Sequence, residues 1–126
     1  MITLRVMINP TNYLKEKGID IFRNGLNSYK LTNEPYMDLT VETWLQNGNA
    51  VVSMCHYGEM NGDLMKDPDI LFMVNKSGDI EYKEFQNDYT GFYSEDHKEI
   101  NDFMENTWIN NLIMQGHQLT KEEHED

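Results

Sequence analysis

Apolar and polar residues alternate through the middle of the chain in a way that is typical of β-strands. Residues 37–42 alternate strictly, which predicts a strand with one buried face. Residues 50–57 and 70–75 are largely apolar, which favours central strands that are buried on both faces. Residues 80–85 have the composition of a fourth strand.

The connections between these strands are short. Asn47-Gly48 lies between the first two strands and Ser77-Gly78 between the last two, and both dipeptides are hairpin signals. Connections of this length join neighbouring antiparallel strands. The four segments therefore predict an antiparallel meander.

A different spacing begins near residue 94, where apolar residues recur every three or four positions. This is the stripe of a helix that packs on a core. Ser94 suits the N-cap of such a helix, and Gly116 suits its C-cap. The predicted stripe consists of Ile100, Phe103, Met104, Thr107, Trp108 and Leu112.

We expect a single domain of the α+β class. A four-stranded antiparallel meander over residues 36–86 carries a long C-terminal helix, residues 94–116, packed on one face. Small N-terminal elements occupy residues 1–35, and the alternation over residues 1–9 predicts a strand among them. The acidic residues 117–126 are predicted to be a frayed tail.

The chain has 126 residues and a formal net charge of −12, from 22 acidic and 10 basic residues. So large an acidic excess argues against direct binding of nucleic acid or of anionic membranes, because both require cationic side chains. A basic protein surface is the partner that it favours. The sequence leaves the oligomeric state open.

Cys55 is the only cysteine, which excludes an intrachain disulfide and a zinc site made of thiolates. A lone thiol is typical of the reducing cytoplasm. No apolar run has the length of a membrane span, and the first residues lack the arrangement of a signal peptide. We therefore expect a cytoplasmic protein.

Residues 55–68 concentrate the candidate chemistry between the two central strands. His56, Glu59, Asp63 and Asp67 are suitable ligands for a divalent cation, the one cofactor that the sequence suggests. Alternatively, His56 and Glu59 form an acid–base pair in which the carboxylate orients the imidazole. Both hypotheses require the side chains to converge in space.

The same stretch has a purely structural interpretation, which we favour. Asn61-Gly62-Asp63 is typical of a turn, and Gly58 suits a bulge at the end of a strand. Asp67-Pro68 suits the start of the next strand, where the aspartate binds free amides. A loop this polar needs internal partners for its backbone groups.

The residues from His56 to Pro68 are called the motif below. This motif resembles one in small bacterial proteins of phages, plasmids and conjugative elements. The resemblance extends over residues 36–116 and implies a setting, that of a mobile-element accessory protein, without implying an activity. It rests on His56-Tyr57-Gly58-Glu59, Asn61-Gly62-Asp63, Met65 and Asp67-Pro68, and further along on Asn87-Asp88 and Gly91.

Acidic residues concentrate at the C-terminal end, where residues 93–126 contain nine acids and two bases. The plain interpretation is a solvated helix face and a solubilising tail. The sharper hypothesis is DNA mimicry, in which carboxylates along a helix occupy the basic groove of a nuclease. Their three- and four-residue spacing selects Glu95, Glu99, Asp102 and Glu105 as candidate partner-binding residues.

Three functional hypotheses result. The one that we favour is a non-enzymatic accessory protein that acts by protein–protein contact, with an acidic DNA mimic that inhibits a host defence nuclease as its concrete form. The second is a small metal-dependent or acid–base enzyme centred on residues 56–67. The third is a structural accessory subunit.

Overall fold

Seven β-strands form one antiparallel sheet within residues 9–126, the part of the chain that the computed structural model describes. The strands are β1 (Leu26–Thr32), β2 (Leu39–Gln46), β3 (Asn49–Met60), β4 (Asp63–Val74), β5 (Ile80–Asn87), β6 (Phe92–Ser94) and β7 (Gln118–Glu125). Their order across the sheet is β6-β5-β4-β3-β2-β1-β7. The strand predicted over residues 1–9 lies outside the described residues, except for Asn9.

A short helix precedes the sheet and a long helix of 19 residues separates β6 from β7. The short helix is α1 (Pro10–Glu16); the long helix comprises α2 (His97–Phe103), a π-helical turn (Met104–Trp108) and α3 (Ile109–Gln115). Within residues 9–126, every helix is too short or too polar to cross a lipid bilayer.

The ends of the long helix are set by side-chain and backbone caps. Its N-cap is Asp96 rather than the predicted Ser94, and the Asp96 carboxylate accepts a hydrogen bond from the Glu99 backbone N–H at 3.1 Å. Gly116 ends the helix in the left-handed conformation, with φ of 67°. Glycine adopts this conformation without a Cβ penalty, so the predicted C-cap is present.

The expectation of a four-stranded meander is wrong, because β1, β6 and β7 extend the sheet to seven strands among the described residues. The meander forms the centre of this sheet as β2 to β5. β7 occupies most of the segment that the sequence predicts to fray, and it pairs with β1. Nearly all of its side chains are exposed. Its order therefore depends on backbone hydrogen bonds, which leave no periodic pattern in the sequence.

The long helix has to cross the whole sheet, because β6 and β7 lie at opposite edges. At about 1.5 Å per residue, the helix is roughly 28 Å long. Seven strands about 4.8 Å apart span roughly 29 Å between the outermost two. The length of the helix thus matches the width of the sheet, which it crosses on one face, here called the inner face.

A π-helical turn in the middle of the long helix changes the spacing of the residues that face the core. Met104 and Ile109 are both fully buried although they are five positions apart, a step that the wider π turn accommodates. Thr107, which a uniform α-helical spacing assigns to the core stripe, is exposed. The buried residues of the helix are Ile100, Met104, Trp108, Ile109 and Leu112, and they pack with α1 on the inner face of the sheet.

Candidate functional site

Most of the motif lies in a β-hairpin, because β3 and β4 continue through the region that the sequence predicts to be a loop. Asn61 and Gly62 form the turn, with φ values of 53° and 86°. A two-residue type I′ hairpin turn requires such left-handed values at both positions. Met60 and Asp63 are the last residues that pair before the turn.

The hairpin does not bring the predicted ligands together. His56 is 93% buried on the inner face, with its ring centre 5.4 Å from that of Trp108. Glu59 is three residues further along the same strand, so the alternation of side chains directs it to the opposite face. Glu59 and Asp63 are exposed near the turn. Within residues 9–126, no group of three or more His, Cys, Asp or Glu side chains could hold a metal ion.

Asp67 and the Asn87-Asp88 pair belong to a hydrogen-bond network that joins β4 to the turn after β5. The Asn87 amide donates to the Asp67 carboxylate at 2.9 Å. The backbone N–H of Lys66 donates to the Asp88 carboxylate at 2.8 Å, and the Asp88 backbone N–H donates to the Lys66 carbonyl at 2.8 Å. The Gln86 amide supplies a second donor to Asp88 at 2.7 Å. These motif residues therefore hold two strands in register.

Gly58 is the point where a second element approaches the backbone of the hairpin. The Tyr89 hydroxyl fills the space that a Cβ at position 58 would occupy. The same hydroxyl donates a hydrogen bond to the Glu59 carbonyl at 3.4 Å. A side chain at position 58 would have to displace Tyr89, so glycine suits this close approach. The pairing of β3 with β4 is also irregular between Cys55 and Tyr57, directly before Gly58.

Cys55 and Tyr57 lie on the outer face of the sheet, opposite the long helix. Cys55 is buried, and this burial, reinforced by the nearby Asp69 carboxylate, raises the pKa of its thiol to about 12. Burial also raises the pKa of the Tyr57 hydroxyl. Because the thiolate is the reactive form of cysteine, this environment does not produce a nucleophile.

The structure places a second histidine beside His56 that the sequence interpretation left out. His117 is fully buried, and its ring centre lies 6.0 Å from that of His56. His56 Nδ1 is 2.9 Å from the Asp38 carbonyl oxygen, and His117 Nε2 is 2.7 Å from the Met37 carbonyl oxygen. Burial, as the largest cause, lowers the pKa of His56, and the neighbouring His117 adds to this effect.

His117 directly follows the Gly116 cap and directly precedes β7. Sequence reasoning assigned it to a loose tail, because the charged residues that follow show no burial pattern. β7 pairs with β1, and β1 also pairs with β2. This arrangement places His117, just before β7, near Asp38, just before β2. The dipeptide Gly116-His117 at the helix end is the only local signal in the sequence. It does not specify that His117 contacts His56.

Besides the hairpin and the two buried histidines, the structure contains a cleft of about 250 Å³ at the β6 edge of the sheet, here called the edge cleft. Phe85 lies at its centre, with ring-to-ring distances of 5.6 Å to Phe92 and 5.2 Å to Phe103. Phe92 is 48% exposed although it belongs to a strand. The complete lining is Phe85, Phe92, Ser94, Glu99, Ile100 and Phe103.

Carboxylates lie at the β6 edge of the sheet on both of its faces. Glu99 lines the edge cleft. Glu84, next to Phe85 in β5 and therefore on the opposite face, accepts a hydrogen bond from the Tyr93 hydroxyl at 3.0 Å. Partial desolvation, followed by the effects of Glu84 and Glu95, raises the pKa of Tyr93 to about 12. The Tyr93 hydroxyl therefore stays protonated at neutral pH, with Glu84 and Glu95 close to it.

The four acids predicted to bind a partner do not form a single row. Glu99 and Asp102 are exposed, and Glu95 is exposed just before the helix. Glu105 is half-buried, and its charge raises the pKa of the buried Tyr82 hydroxyl after desolvation, the larger cause. Of the four acids, Glu99 lines the edge cleft. Glu95 and Asp102 are exposed within four residues of Glu99, and Glu105 lies near Tyr82.

A family model described as a domain of unknown function (DUF6908) matches residues 11–118. The matched range contains β1 to β6, the long helix and His117, and it ends at the first residue of β7. Neither a curated protein nor a solved structure matches the chain.

Proposed function

Since the chain belongs to the DUF6908 family of domains of unknown function, we propose its function from its own geometry. The protein acts by protein–protein contact, and the edge cleft, with Glu99 and the acids close to it in sequence, binds a basic segment of a partner protein. The observation that carries this proposal is a group of acids without counter-charges next to exposed aromatic side chains. Glu95, Glu99 and Asp102 form no ion pair among the described residues.

The local charge balance supports a cationic ligand. Residues 84–120 contain seven carboxylates and a single cation, Lys98. Acids clustered in this way repel one another, and a basic partner surface relieves that repulsion on binding. The apolar floor of the edge cleft provides the second half of the interaction, because aromatic and aliphatic anchors supply most of the binding energy at protein interfaces.

The concrete form that we propose is DNA mimicry by a mobile-element protein that inhibits a host defence nuclease in the cytoplasm. The basic groove of such an enzyme offers the required cations, and apolar side chains bordering the groove fit the edge cleft. The net charge of −12 and the resemblance of the motif to phage, plasmid and conjugative-element proteins support this setting. The lone buried thiol of Cys55 supports a reducing compartment.

The test is capture of partners from a host extract on the immobilised chain, followed by affinity measurement on the purified partner. We expect the double variant Glu99→Lys/Asp102→Lys to weaken the affinity by tenfold or more, and binding of the wild type to weaken as salt rises. The matched control is Glu16→Lys/Glu34→Lys, which changes the net charge equally at two exposed positions away from the edge cleft. Equal affinities for both double variants would overturn the proposal.

A competition experiment tests the mimicry itself. If the protein occupies the DNA-binding groove of a nuclease, duplex DNA displaces it from the purified partner, and the protein inhibits cleavage at matching concentrations. Simultaneous binding of duplex DNA and the protein to the partner rejects mimicry but leaves binding through the edge cleft in place.

A further inference from the structure

His56 and His117 are both held by backbone carbonyls of consecutive residues. His56 Nδ1 faces the Asp38 carbonyl and His117 Nε2 faces the Met37 carbonyl. A carbonyl oxygen only accepts hydrogen bonds, so each of these ring nitrogens carries the hydrogen. The other nitrogen of each neutral ring, Nε2 of His56 and Nδ1 of His117, then presents a lone pair.

Neither lone pair has a partner among the described residues. His117 Nδ1 is buried without a hydrogen bond, and His117 itself has 0% exposure. His56 forms its one hydrogen bond through Nδ1. A buried acceptor without a donor is costly, so the buried Nδ1 of His117, next to the free Nε2 of the adjacent His56 ring, indicates a ligand that accepts both electron pairs.

The separation of the rings fits a shared metal ion. A metal lies about 2.0–2.1 Å from an imidazole nitrogen, which places the centres of two rings on one ion roughly 5–6.5 Å apart. The observed separation of the His56 and His117 ring centres is 6.0 Å. Metal-bound histidines donate their second ring N–H to a carbonyl or carboxylate, which fixes the tautomer. Asp38 and Met37 supply that arrangement for both rings.

We propose that His56 and His117 form a two-histidine site for a late first-row transition-metal ion, of which Zn²⁺ and Cu²⁺ are the representative probes. Imidazole favours these ions, whereas Mg²⁺ and Ca²⁺ favour oxygen ligands. No third His, Cys, Asp or Glu of the described residues completes the set, so water or a partner group occupies the remaining positions. This site is distinct from the carboxylates of the hairpin turn and from the edge cleft.

The experiment is a titration of the full chain, without a polyhistidine tag, with ZnCl₂, followed by calorimetry and by NMR of the imidazole nitrogens. We expect one Zn²⁺ per chain, with changes in the ¹⁵N resonances of His56 Nε2 and His117 Nδ1. Titration with MgCl₂ or CaCl₂ should produce no heat and no shift at these nitrogens. Strong binding of Ca²⁺ instead would identify an oxygen site and overturn the proposal.

Two substitutions remove one lone pair each while they keep the bond to the backbone. His56→Asn places an amide donor near the position of Nδ1, and His117→Gln places one near Nε2. Each should weaken Zn²⁺ binding by tenfold or more, since loss of even an outer-shell partner weakens metal binding about 10–100-fold. His124→Gln is the matched control, because His124 is held by Asn27 and Asp126 near the C-terminus and should leave affinity unchanged.

If a variant fails to fold, the NMR measurement on the wild type still tests whether Zn²⁺ binds at His56 and His117. Unchanged His56 and His117 nitrogen resonances at saturating Zn²⁺ would show that a buried water satisfies the lone pairs and would overturn the proposal. Zn²⁺ binding that His124→Gln weakens as much as His56→Asn would place the ion at the C-terminal end and overturn it as well.

Discussion

At the scale of single residues, Asp88 shows how the motif contributes to architecture. Its carboxylate accepts hydrogen bonds from the Lys66 backbone N–H and from the Gln86 amide. The Lys66 N–H, followed by the Gln86 amide, lowers the pKa of Asp88 below its ordinary value of 3.8. The ionised form is thus the one that the fold stabilises.

This pKa shift predicts a pH-dependent stability. A carboxyl group whose pKa is lower in the folded state stabilises the fold above its unfolded pKa, and it loses this effect as the pH falls through the folded pKa. We expect Asp88→Asn to be less stable than the wild type at pH 7, and the difference to shrink from about pH 4 downward. Urea unfolding at pH 7, 5, 4 and 3 measures it.

The control for this prediction is Asp63→Asn at the hairpin turn. The Asp63 carboxylate has no hydrogen-bond partner among the described residues, so this variant should follow the wild type at every pH. If the destabilisation by Asp88→Asn stays constant down to pH 3, the network around Lys66 does not depend on the charge of Asp88.

At the scale of elements, burial decides what the sequence reveals. Strands β2 to β5 overlap the predicted meander because each buries side chains in a recognisable pattern. β6 has only three residues, too few for any period, and β7 is almost entirely exposed. β7 depends on pairing with β1, which is distant in sequence, and such pairing is invisible to local patterns.

The π-helical turn yields a prediction at this scale. Ile109→Ala should destabilise the protein by about 2–5 kcal/mol, the range for removal of a large buried aliphatic side chain. Thr107→Ala should change stability by less than about 0.5 kcal/mol, because Thr107 is exposed. A uniform α-helix predicts that Thr107 also faces the core. Urea unfolding of the two variants distinguishes the registers, and a large effect of Thr107→Ala would exclude the π turn.

At the scale of the whole molecule, the candidate sites follow from the path of the chain. The sequence analysis selects His56 as a candidate site residue but assigns it neighbours from its own hairpin. The long helix crosses the sheet and returns the chain to β1, which brings His117 to the inner face near His56. Contacts between residues 61 positions apart arise from topology, so spacing rules cannot supply them. The acidic surface, in contrast, was predictable from composition alone.

The concentrated negative charge predicts a salt-dependent stability of the whole molecule. Repulsion among carboxylates at the edge cleft is screened by salt, so the wild type should become more stable between about 0.05 and 0.5 M NaCl. Glu99 also interacts favourably with the helix N-terminus by about 0.3–1 kcal/mol. The dependence on salt is therefore a clearer readout than the absolute stability of a charge-reversed variant.

We expect Glu99→Lys/Asp102→Lys to have a smaller increase in stability with salt than the wild type. Glu16→Lys/Glu34→Lys provides the matched control. Glu16 already lies between Lys15 and Lys17 in sequence, so reversal there relieves less repulsion than reversal at the edge cleft. Thermal unfolding of the three proteins at a series of salt concentrations gives the comparison. Equal salt dependence in both double variants would mean that only net charge matters, and that the acids at the edge cleft do not act as a group.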